Sequence, residues 1–323
     1  MNNDQQIREL LNGAERVLIA SHVRPDGDAI GSVLGLGLAL EEAGKTVQMV
    51  LVDGVPANFR HLRGSERILR RPDGAFDLFI SLDCADRKRL GEPLQGLGKP
   101  HLNIDHHVTN ERFGELNLIE AEAVATAAIL TEHLPHWGLP ITPAIADALL
   151  TGIVTDTLGF RTNNVTPHCL RLAADLMEHG ANLADLYMRG LVRRSLEAAR
   201  YWGAGLAKLR HENGIIWSTL TLEDRRKAGY HANDDADLIN IISAIDGGKV
   251  GMIFVEQENQ HVKVSWRALE EGIDVSQVAK VMGGGGHQAA AGADIPGTME
   301  SVVPRVLELT HQMLAKMQPT KEK

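Results

Sequence analysis

The sequence is poor in cysteine and has no long apolar run. Its two cysteines, Cys84 and Cys169, form no CxxC pair, which argues against a disulfide framework and against a thiolate-bound metal. The most apolar stretch, Ala29 to Leu40, falls well short of the roughly 20 residues that span a membrane. The N-terminus lacks the basic start and apolar core of a secretory signal. The sequence therefore predicts a cytoplasmic protein.

An excess of positive charge is also missing. The formal net charge is -9 at pH 7, whereas proteins that coat long duplex DNA present a basic face. A short substrate needs only a local positive patch, so the charge favours small phosphorylated ligands. The length of 323 residues is typical of about two domains, and the hydrophobic content of 44% is ordinary for a globular protein.

The first part of the chain alternates strand-like and helix-like segments. The predicted strands are Val17–Ala20, Val47–Val52, Phe76–Leu82 and Leu102–Ile104, and the predicted helices are Ala29–Ala43, capped by Gly44, Pro143–Ile153 and Pro167–Glu178. Such alternation is typical of a parallel sheet, whose ligands bind at the carboxyl ends of the strands.

The remainder of the chain predicts a second, smaller α/β unit. Its predicted elements are a charged linker helix over 191–209, a strand at Ile215–Leu220, a capping-box helix from Thr221, a hairpin of strands 249–255 and 261–269, and a final helix at Val303–Met317. A disordered tail is expected from Gln318. The fold class is therefore α/β, with a parallel-sheet domain over 1–190, the helical linker over 191–209 and the smaller α/β domain over 210–323.

Carboxylate and imidazole groups follow apolar runs in four separate segments, at element ends where a fold can bring them together. These residues are His22, Asp26, Asp28, Asp83, Asp105, His106, His107 and Asp156. Aspartate and histidine without cysteine form a ligand set for Mn(II), Mg(II) or a related cation. Because gathered carboxylates repel one another unless cations neutralise them, the pattern indicates two-metal hydrolysis of a phosphate ester. Asp26-Gly27-Asp28 alone is more typical of a solvated turn with Asp28 as a helix cap.

The motifs around these residues resemble, in order, those of the DHH phosphoesterase superfamily. They are HVRPDGDAIGS from His22, SLDCAD from Ser81, NIDHH from Asn103 and TDT from Thr155. A glycine run followed by histidine, Gly283 to His287, resembles the C-terminal domain of the nuclease branch. The resemblance covers nearly the whole chain and is nearest to short oligoribonucleases that also dephosphorylate 3′-phosphoadenosine 5′-phosphate (pAp). It implies a catalytic first domain and a substrate-binding second domain.

The resemblance also implies two divalent cations, with Mn(II) expected and Mg(II) or Co(II) as alternatives. One cation would be held by His22, Asp26 and Asp83, and the other by Asp28, Asp83, His106 and Asp156. Asp83 would thus bridge the two. His107 would donate to the substrate phosphate as a catalytic group, and Asp105 would orient a histidine.

A glycine run and an arginine are the expected grip on the far end of the substrate. Gly283, Gly284, Gly285 and Gly286 offer backbone N–H groups without side chains, which is typical of a phosphate-binding nest. An extended C-cap of a helix over Val275–Met282 is the alternative. The resemblance supports substrate-binding roles for Arg267 and His287, in a cleft that also contains the metals.

Three other functions stay open at this point. A related enzyme could cleave cyclic or linear dinucleotides such as pApA or pGpG. Manganese pyrophosphatases share the first domain but lack the glycine-histidine element. A non-catalytic nucleotide sensor would not require the complete ligand set. The expected partner is short single-stranded RNA or a small nucleotide, with no duplex DNA and no membrane, and a homodimer is among the open oligomeric states.

Overall fold

The computed structural model describes residues 3–317 and divides into two compact units, residues 1–193 and 194–323. The tail from Gln318, which the sequence predicts to be disordered, lies outside the described residues. Among those residues, no helix is long and apolar enough to cross a membrane.

The first unit is built on a five-stranded parallel sheet. Its strands are β1 (Arg16–Ala20), β2 (Thr46–Val50), β3 (Leu78–Leu82), β4 (Leu102–Asp105) and β5 (Leu116–Ile119). Its helices are α1 (Asn3–Gly13), α2 (Gly27–Glu42), α3 (Glu92–Gln95), α4 (Thr126–Trp137), α5 (Pro143–Asp156), α6 (Pro167–Glu178) and α7 (Leu183–Tyr187). The strand order is β2-β1-β3-β4-β5, with every pair parallel. The predicted parallel α/β sheet is confirmed.

Alternation along β1 divides the core of this unit. Val17 and Ile19 belong to the large cluster that also contains residues of α2, α4 and α5. Leu18 and Ala20 point to the opposite face and pack with Phe79 and Leu90. Because successive side chains of a strand face opposite sides, a sheet covered on both faces needs the continuous apolar runs seen in the sequence.

Glycines at the contact between α2 and α5 allow the backbones of these two helices to pack directly against each other. A Cβ atom at Gly31 would lie 2.4 Å from the carbonyl oxygen of Ala148, and one at Gly152 would lie 2.7 Å from Asp28 Oδ1. The close approach places the first turn of α2, with Asp28, beside the last turn of α5, with Asp156. Helix packing therefore contributes directly to the position of two charged residues.

The second unit contains a six-stranded mixed sheet. Its strands are β6 (Arg210–Glu212), β7 (Ile215–Leu220), β8 (Val250–Gln257), β9 (His261–Ala268), β10 (Gly285–Gly286) and β11 (Ala290–Pro296). Its helices are α8 (Leu196–Leu206), α9 (Leu222–Ala228), α10 (Leu238–Ile242), α11 (Ser276–Val281) and α12 (Met299–Met317). The order is β10-β11-β9-β8-β7-β6, parallel only between β7 and β8. Trp266 lies in the apolar cluster that includes residues of α11 and α12, whereas Tyr201 lies in the cluster that includes residues of α10.

Several local predictions agree with these elements, and three differ in length; α5 continues to Asp156, past the predicted end at Ile153. The capping box at Thr221 is present, and β8 and β9 pair as an antiparallel hairpin. The helix predicted over 191–209 is shorter, because Ser195 accepts a hydrogen bond from the Ala198 amide and starts a new helix after a π-helical turn at Met188–Val192. The final helix begins at Met299, before the predicted Val303.

Candidate active site

The acidic and imidazole residues of the first unit meet at the carboxyl edge of its sheet. His22 follows β1, Asp83 follows β3, and Asp105 ends β4 just before His106 and His107. These three strands are neighbours in the order β1-β3-β4, so their ends lie side by side. Asp26 is the N-cap of α2, Asp28 lies in its first turn, and Asp156 ends α5.

Asp83 stands between two groups of possible ligand atoms. Its Oδ2 atom lies 3.5 Å from His22 Nε2, which is 3.8 Å from Asp26 Oδ2. Its Oδ1 atom lies 3.7 Å from His106 Nε2. The Asp83 side chain is buried, and its backbone adopts a left-handed φ of 52°. A non-glycine residue in that conformation is uncommon and is typical of positions where the fold aims a side chain at a site.

The second group is centred on His106. Its Nε2 atom lies 3.5 Å from Asp156 Oδ2 and 3.9 Å from Asp28 Oδ2. Asp28, His106 and Asp156 can therefore hold one ion, and His22, Asp26 and Asp83 can hold another. Asp83, His106 and His107 form a third overlapping triad.

The donor set fits divalent cations. These nitrogen–oxygen distances exceed those of a normal hydrogen bond, but ligands about 2.0–2.2 Å from a shared cation are separated by comparable distances. Nδ1 of His22 lies 2.9 Å from the Val23 carbonyl, and Nδ1 of His106 lies 3.2 Å from that of Ala123. When each Nδ1–H donates to its carbonyl, the Nε2 lone pairs point at the carboxylates, as metal ligation requires. Arg89 Nη2 lies 3.1 Å from the same Nδ1 of His22 and competes with the Val23 carbonyl for that nitrogen.

The carboxylates are not stable as a fully charged set. Burial, followed by the charge of Asp83, raises the pKa of Asp156 to about 8, and the same causes raise that of Asp28 well above its usual range. Burial also opposes ionisation of Asp83, but its interactions with His22 outweigh that effect and lower its pKa. Mutual repulsion of buried carboxylates is what bound cations relieve.

Helix α4 holds Asp28 in place. The backbone N–H groups of Thr126 and Ala127 donate to its carboxylate at 2.7 and 2.9 Å. The N-cap residue Ala125 has no capping side chain, so Asp28 satisfies orphan donors of this helix from another element. The Thr126 hydroxyl also donates to Asp83 Oδ1 at 3.2 Å. Thr126 carries no signal in the sequence, because the helix start has no capping residue of its own.

Asp105 orients His107 and is itself fixed. His107 Nδ1 lies 2.7 Å from Asp105 Oδ1, and the backbone N–H of His106 donates to the same oxygen at 2.9 Å. The Asn110 side chain donates to the other carboxylate oxygen of Asp105 and to the Cys84 carbonyl. Although burial works against protonation, the hydrogen bond to Asp105 raises the pKa of His107 to about 9. Asn110 was not anticipated; no capping or metal motif marks it.

The predicted substrate-binding residues lie in the second unit. Gly283 and Gly284 donate their backbone N–H groups to the carbonyls of Lys280 and Ala279, so these two glycines terminate α11. A Cβ atom at Gly284 would lie 2.1 Å from the Gly292 carbonyl oxygen. The first half of the run thus fits the C-cap interpretation, and Gly285 and Gly286 form strand β10.

Arg267 and the residues after the glycine run are brought together by the sheet. β11 returns from a tight turn at His287, whose amide donates to the Ala290 carbonyl at 2.8 Å. Ala290 pairs with Arg267 across the β9–β11 ladder. His287 is exposed, and burial lowers the pKa of Arg267. Arg267 and the turn at His287 therefore lie at the same end of the β9–β11 ladder.

Comparison with known proteins matches both units. The model of the DHH family N-terminal domain matches residues 16–153, and that of the DHHA1 domain matches residues 213–316. A Thermus thermophilus protein named bifunctional oligoribonuclease and PAP phosphatase NrnA is 36% identical, covering 96% of this chain and 94% of its own. The Bacillus subtilis protein of that name is 26% identical, covering 87% and 90%. The crystal structure of an exopolyphosphatase-related protein from Bacteroides fragilis has a TM-score of 0.89 at 26% identity, covering 97% and 96%.

Proposed function

This chain belongs to the DHH family, and from that premise we propose that it hydrolyses short oligoribonucleotides to mononucleotides and dephosphorylates pAp to AMP. The observation that carries the proposal is a relative with both named activities that is similar over nearly the full length of both chains. Family enzymes depend on metal ions, and the buried carboxylate–imidazole group supplies ligands for them.

Two divalent cations would fit this site, with Mn(II) first and Mg(II) or Co(II) as substitutes. His22, Asp26 and Asp83 would hold one, and Asp28, Asp83, His106 and Asp156 would hold the other. When bound, such cations act as Lewis acids toward phosphate oxygens and make water a better nucleophile at neutral pH. The two oxygens of Asp83 face different groups, which suits a shared ligand.

His107 has the role of a hydrogen-bond donor to the substrate phosphate. Asp105 accepts from Nδ1, which leaves Nε2 to donate toward charge that develops on the phosphate. Asp105 does not touch substrate in this account; with Asn110, it keeps the imidazole in one orientation. Thr126 has a similar positioning role toward Asp83.

The second unit supplies the grip on the distal phosphate or nucleotide. Arg267 and His287 are the charged and donor groups for that role, and their position at one end of the β9–β11 ladder supports it. Since Gly283 and Gly284 already donate to α11, the contribution of the run comes from Gly285, Gly286 and the close approach that missing side chains permit. The domain limits of this account are those expected from the sequence, with the catalytic domain over 1–190, the linker over 191–209 and the substrate-binding domain over 210–323.

The proposal places the enzyme in the cytoplasm, where free thiols such as the buried Cys84 and Cys169 remain reduced. Its partners are short single-stranded RNA and small nucleotides.

A substrate panel with Mn(II) tests the proposal. It contains RNA from dimers to long oligomers, pAp, pApA, cyclic di-AMP and pyrophosphate. We expect kcat/KM for dinucleotides to pentanucleotides to exceed that for a long single strand by at least about tenfold, since a net charge of -9 disfavours capture of a long strand. pAp should be dephosphorylated as well. Exclusive cleavage of a cyclic dinucleotide or pyrophosphate would contradict the assignment, and binding without turnover would indicate a sensor.

A further inference from the structure

A cavity separate from the proposed ligands lies in the first unit. Its volume is about 470 Å³, and residues 119–124, α4 and α6 line it. Val124, Ile129 and Leu172, which are largely or fully buried, form apolar wall. The cavity is partly open to solvent, and a space of this size with an apolar wall can hold a small organic molecule.

One wall of the cavity also holds the candidate metal centre. This wall is the β5–α4 segment, residues 119–127. Its hydrogen bonds run from Glu120 N to Asp105 O (3.1 Å), from His106 Nδ1 to Ala123 O (3.2 Å), from Thr126 N to Asp28 Oδ2 (2.7 Å) and from Thr126 Oγ1 to Asp83 Oδ1 (3.2 Å). The same short segment therefore contacts four residues of the centre and lines the cavity.

The rim of the cavity is acidic. It carries Glu120, Glu122 and Glu132 against one basic side chain, His168. His168 pairs with Glu132 at 2.9 Å, and Glu120 pairs with His133 at 2.9 Å. Glu122 is exposed and makes no ion pair within the described residues. An anionic ligand would meet repulsion here, whereas a cation would find an unpaired carboxylate.

We propose that this cavity binds a small apolar cation, an arylalkylammonium or branched alkylammonium compound, and thereby changes the affinity of the metal centre for divalent cations. The apolar wall accepts the hydrocarbon body, and Glu122 faces the ammonium group. The regulatory half rests on the proposed function, whereas binding itself rests on the cavity alone.

The route of the effect is the β5–α4 segment. A ligand that displaces this segment alters the carbonyl that orients His106 and the helix N-terminus that holds Asp28. Coupling of two equilibria is reciprocal, so the ligand must change Mn(II) affinity by the same factor by which Mn(II) changes ligand affinity. That equality distinguishes coupling from an unrelated effect of the ligand on the enzyme.

The binding experiment uses 2-phenylethylammonium and, as an anionic analogue, 3-phenylpropionate. Calorimetry and thermal unfolding of the metal-free full chain at pH 7 are the readouts, so the result does not depend on turnover. At a concentration tenfold above Kd, the ammonium probe should raise the unfolding midpoint by roughly 3–6 °C. Equal binding of the anion, or no binding of either probe, would overturn the proposal.

Variants locate the site. Glu122→Gln should weaken binding of the ammonium probe about three- to tenfold, since it removes a partly exposed ion pair. Glu115→Gln, an exposed residue outside the cavity, is the matched control and should have no effect. Ala128→Leu should block binding by filling the space, and Cys169→Met is the alternative if that variant does not fold. Unchanged binding in the folded filled variant would contradict the location.

The coupling experiment measures the Kd of Mn(II) with and without saturating probe, and that of the probe with and without Mn(II). The proposal expects a change of at least about threefold, equal in the two directions. If the protein binds the probe but neither Kd changes, the proposed effect on the metal centre is refuted. Loss of pAp hydrolysis alone would count against the proposed function and leave probe binding unaffected.

Discussion

The candidate binding region of the first unit consists of buried side chains, whereas that of the second unit consists mainly of exposed backbone. In the first unit, buried side chains such as His22, Asp28 and Asp83 converge from separate elements, and neighbouring groups hold them through hydrogen bonds. In the second unit the glycine run is mostly exposed, and two of its backbone N–H groups terminate α11.

This difference predicts different responses to substitution. The buried carboxylates of the first unit serve metal binding and contribute little to the free energy of folding, because they repel one another. The glycine run ends a helix and packs against a neighbouring strand, so it contributes to stability as well as to any binding of substrate. Substitutions in the first region should therefore remove activity from a folded protein, whereas those in the second should affect stability or KM.

The largest expected effect comes from Asp83→Asn. Asparagine tolerates the left-handed φ of 52° and preserves the side-chain shape, but it removes the charge between the two groups of ligands. We expect kcat to fall at least about 1000-fold while the thermal unfolding midpoint stays within a few degrees. The exposed Asp73→Asn is the control. Retention of more than a tenth of wild-type turnover would show that Asp83 is not a shared ligand.

His107→Ala and Arg267→Ala compare the regions directly. If His107 donates to charge developing in the transition state, its removal should lower kcat about 100-fold with little change in KM. If Arg267 grips a distal phosphate, its removal should raise KM about tenfold with little change in kcat. Steady-state kinetics on pAp and a dinucleotide check both. A change in KM alone for both variants would remove the distinction between the regions.

Gly284→Ala and Gly285→Ala separate fold from binding within the glycine run. A Cβ atom at Gly284 meets the backbone of β11, whereas one at Gly285 meets nothing within 4 Å. We expect Gly284→Ala to lower the free energy of unfolding by about 2–4 kcal/mol and Gly285→Ala to leave it within about 0.5 kcal/mol. Denaturant titration measures both. Equal stabilities would mean that the run is not packed as described.

The smallest change that we expect is in the pH dependence of stability, through the interactions of His133 in α4 with Asp4 in α1 and with Glu120. Burial lowers the pKa of His133, but hydrogen bonds to Glu120 and Asp4 outweigh it and raise the pKa to about 9. Since the folded state binds this proton more tightly, the added stability is fully present below pH 6.5 and is lost as pH rises toward 9. His133→Gln should thus cost about 1–3 kcal/mol at pH 6 and much less at pH 9.5. Urea titrations of both proteins at the two pH values measure the difference, and a pH-independent difference would contradict the charge assignment.

The convergence of the proposed ligands could be predicted because each polar group follows an apolar run. His22, Asp83 and Asp105 end runs that form adjacent parallel strands, and parallel strands present their carboxyl ends at one edge. The family comparison confirms the resemblance. The grouping of the ligands into two sets was implied by that resemblance and stays a prediction. The individual roles in catalysis remain predictions.

The supports of the site could not be predicted in the same way. Ala123 contributes a carbonyl and Ala127 an N–H group, and backbone groups carry no residue signature. The short strand β5 was missed because it has only four residues, one of which is the polar Asn117, and only Leu118 is buried. The linker helix was predicted too long because helical composition continues through Arg193 and Arg194, while the interruption depends on the cap at Ser195.

The number of Mn(II) ions that the metal-free full chain binds tests whether two cations share the site around Asp83. Calorimetry with elemental analysis should give two ions per wild-type chain, and electron paramagnetic resonance should detect them as an exchange-coupled pair. Asp83→Asn should weaken the binding of both ions, because the two carboxylate oxygens of Asp83 face both groups of ligands. A single ion in the wild type, or two ions of unchanged affinity in Asp83→Asn, would contradict the account.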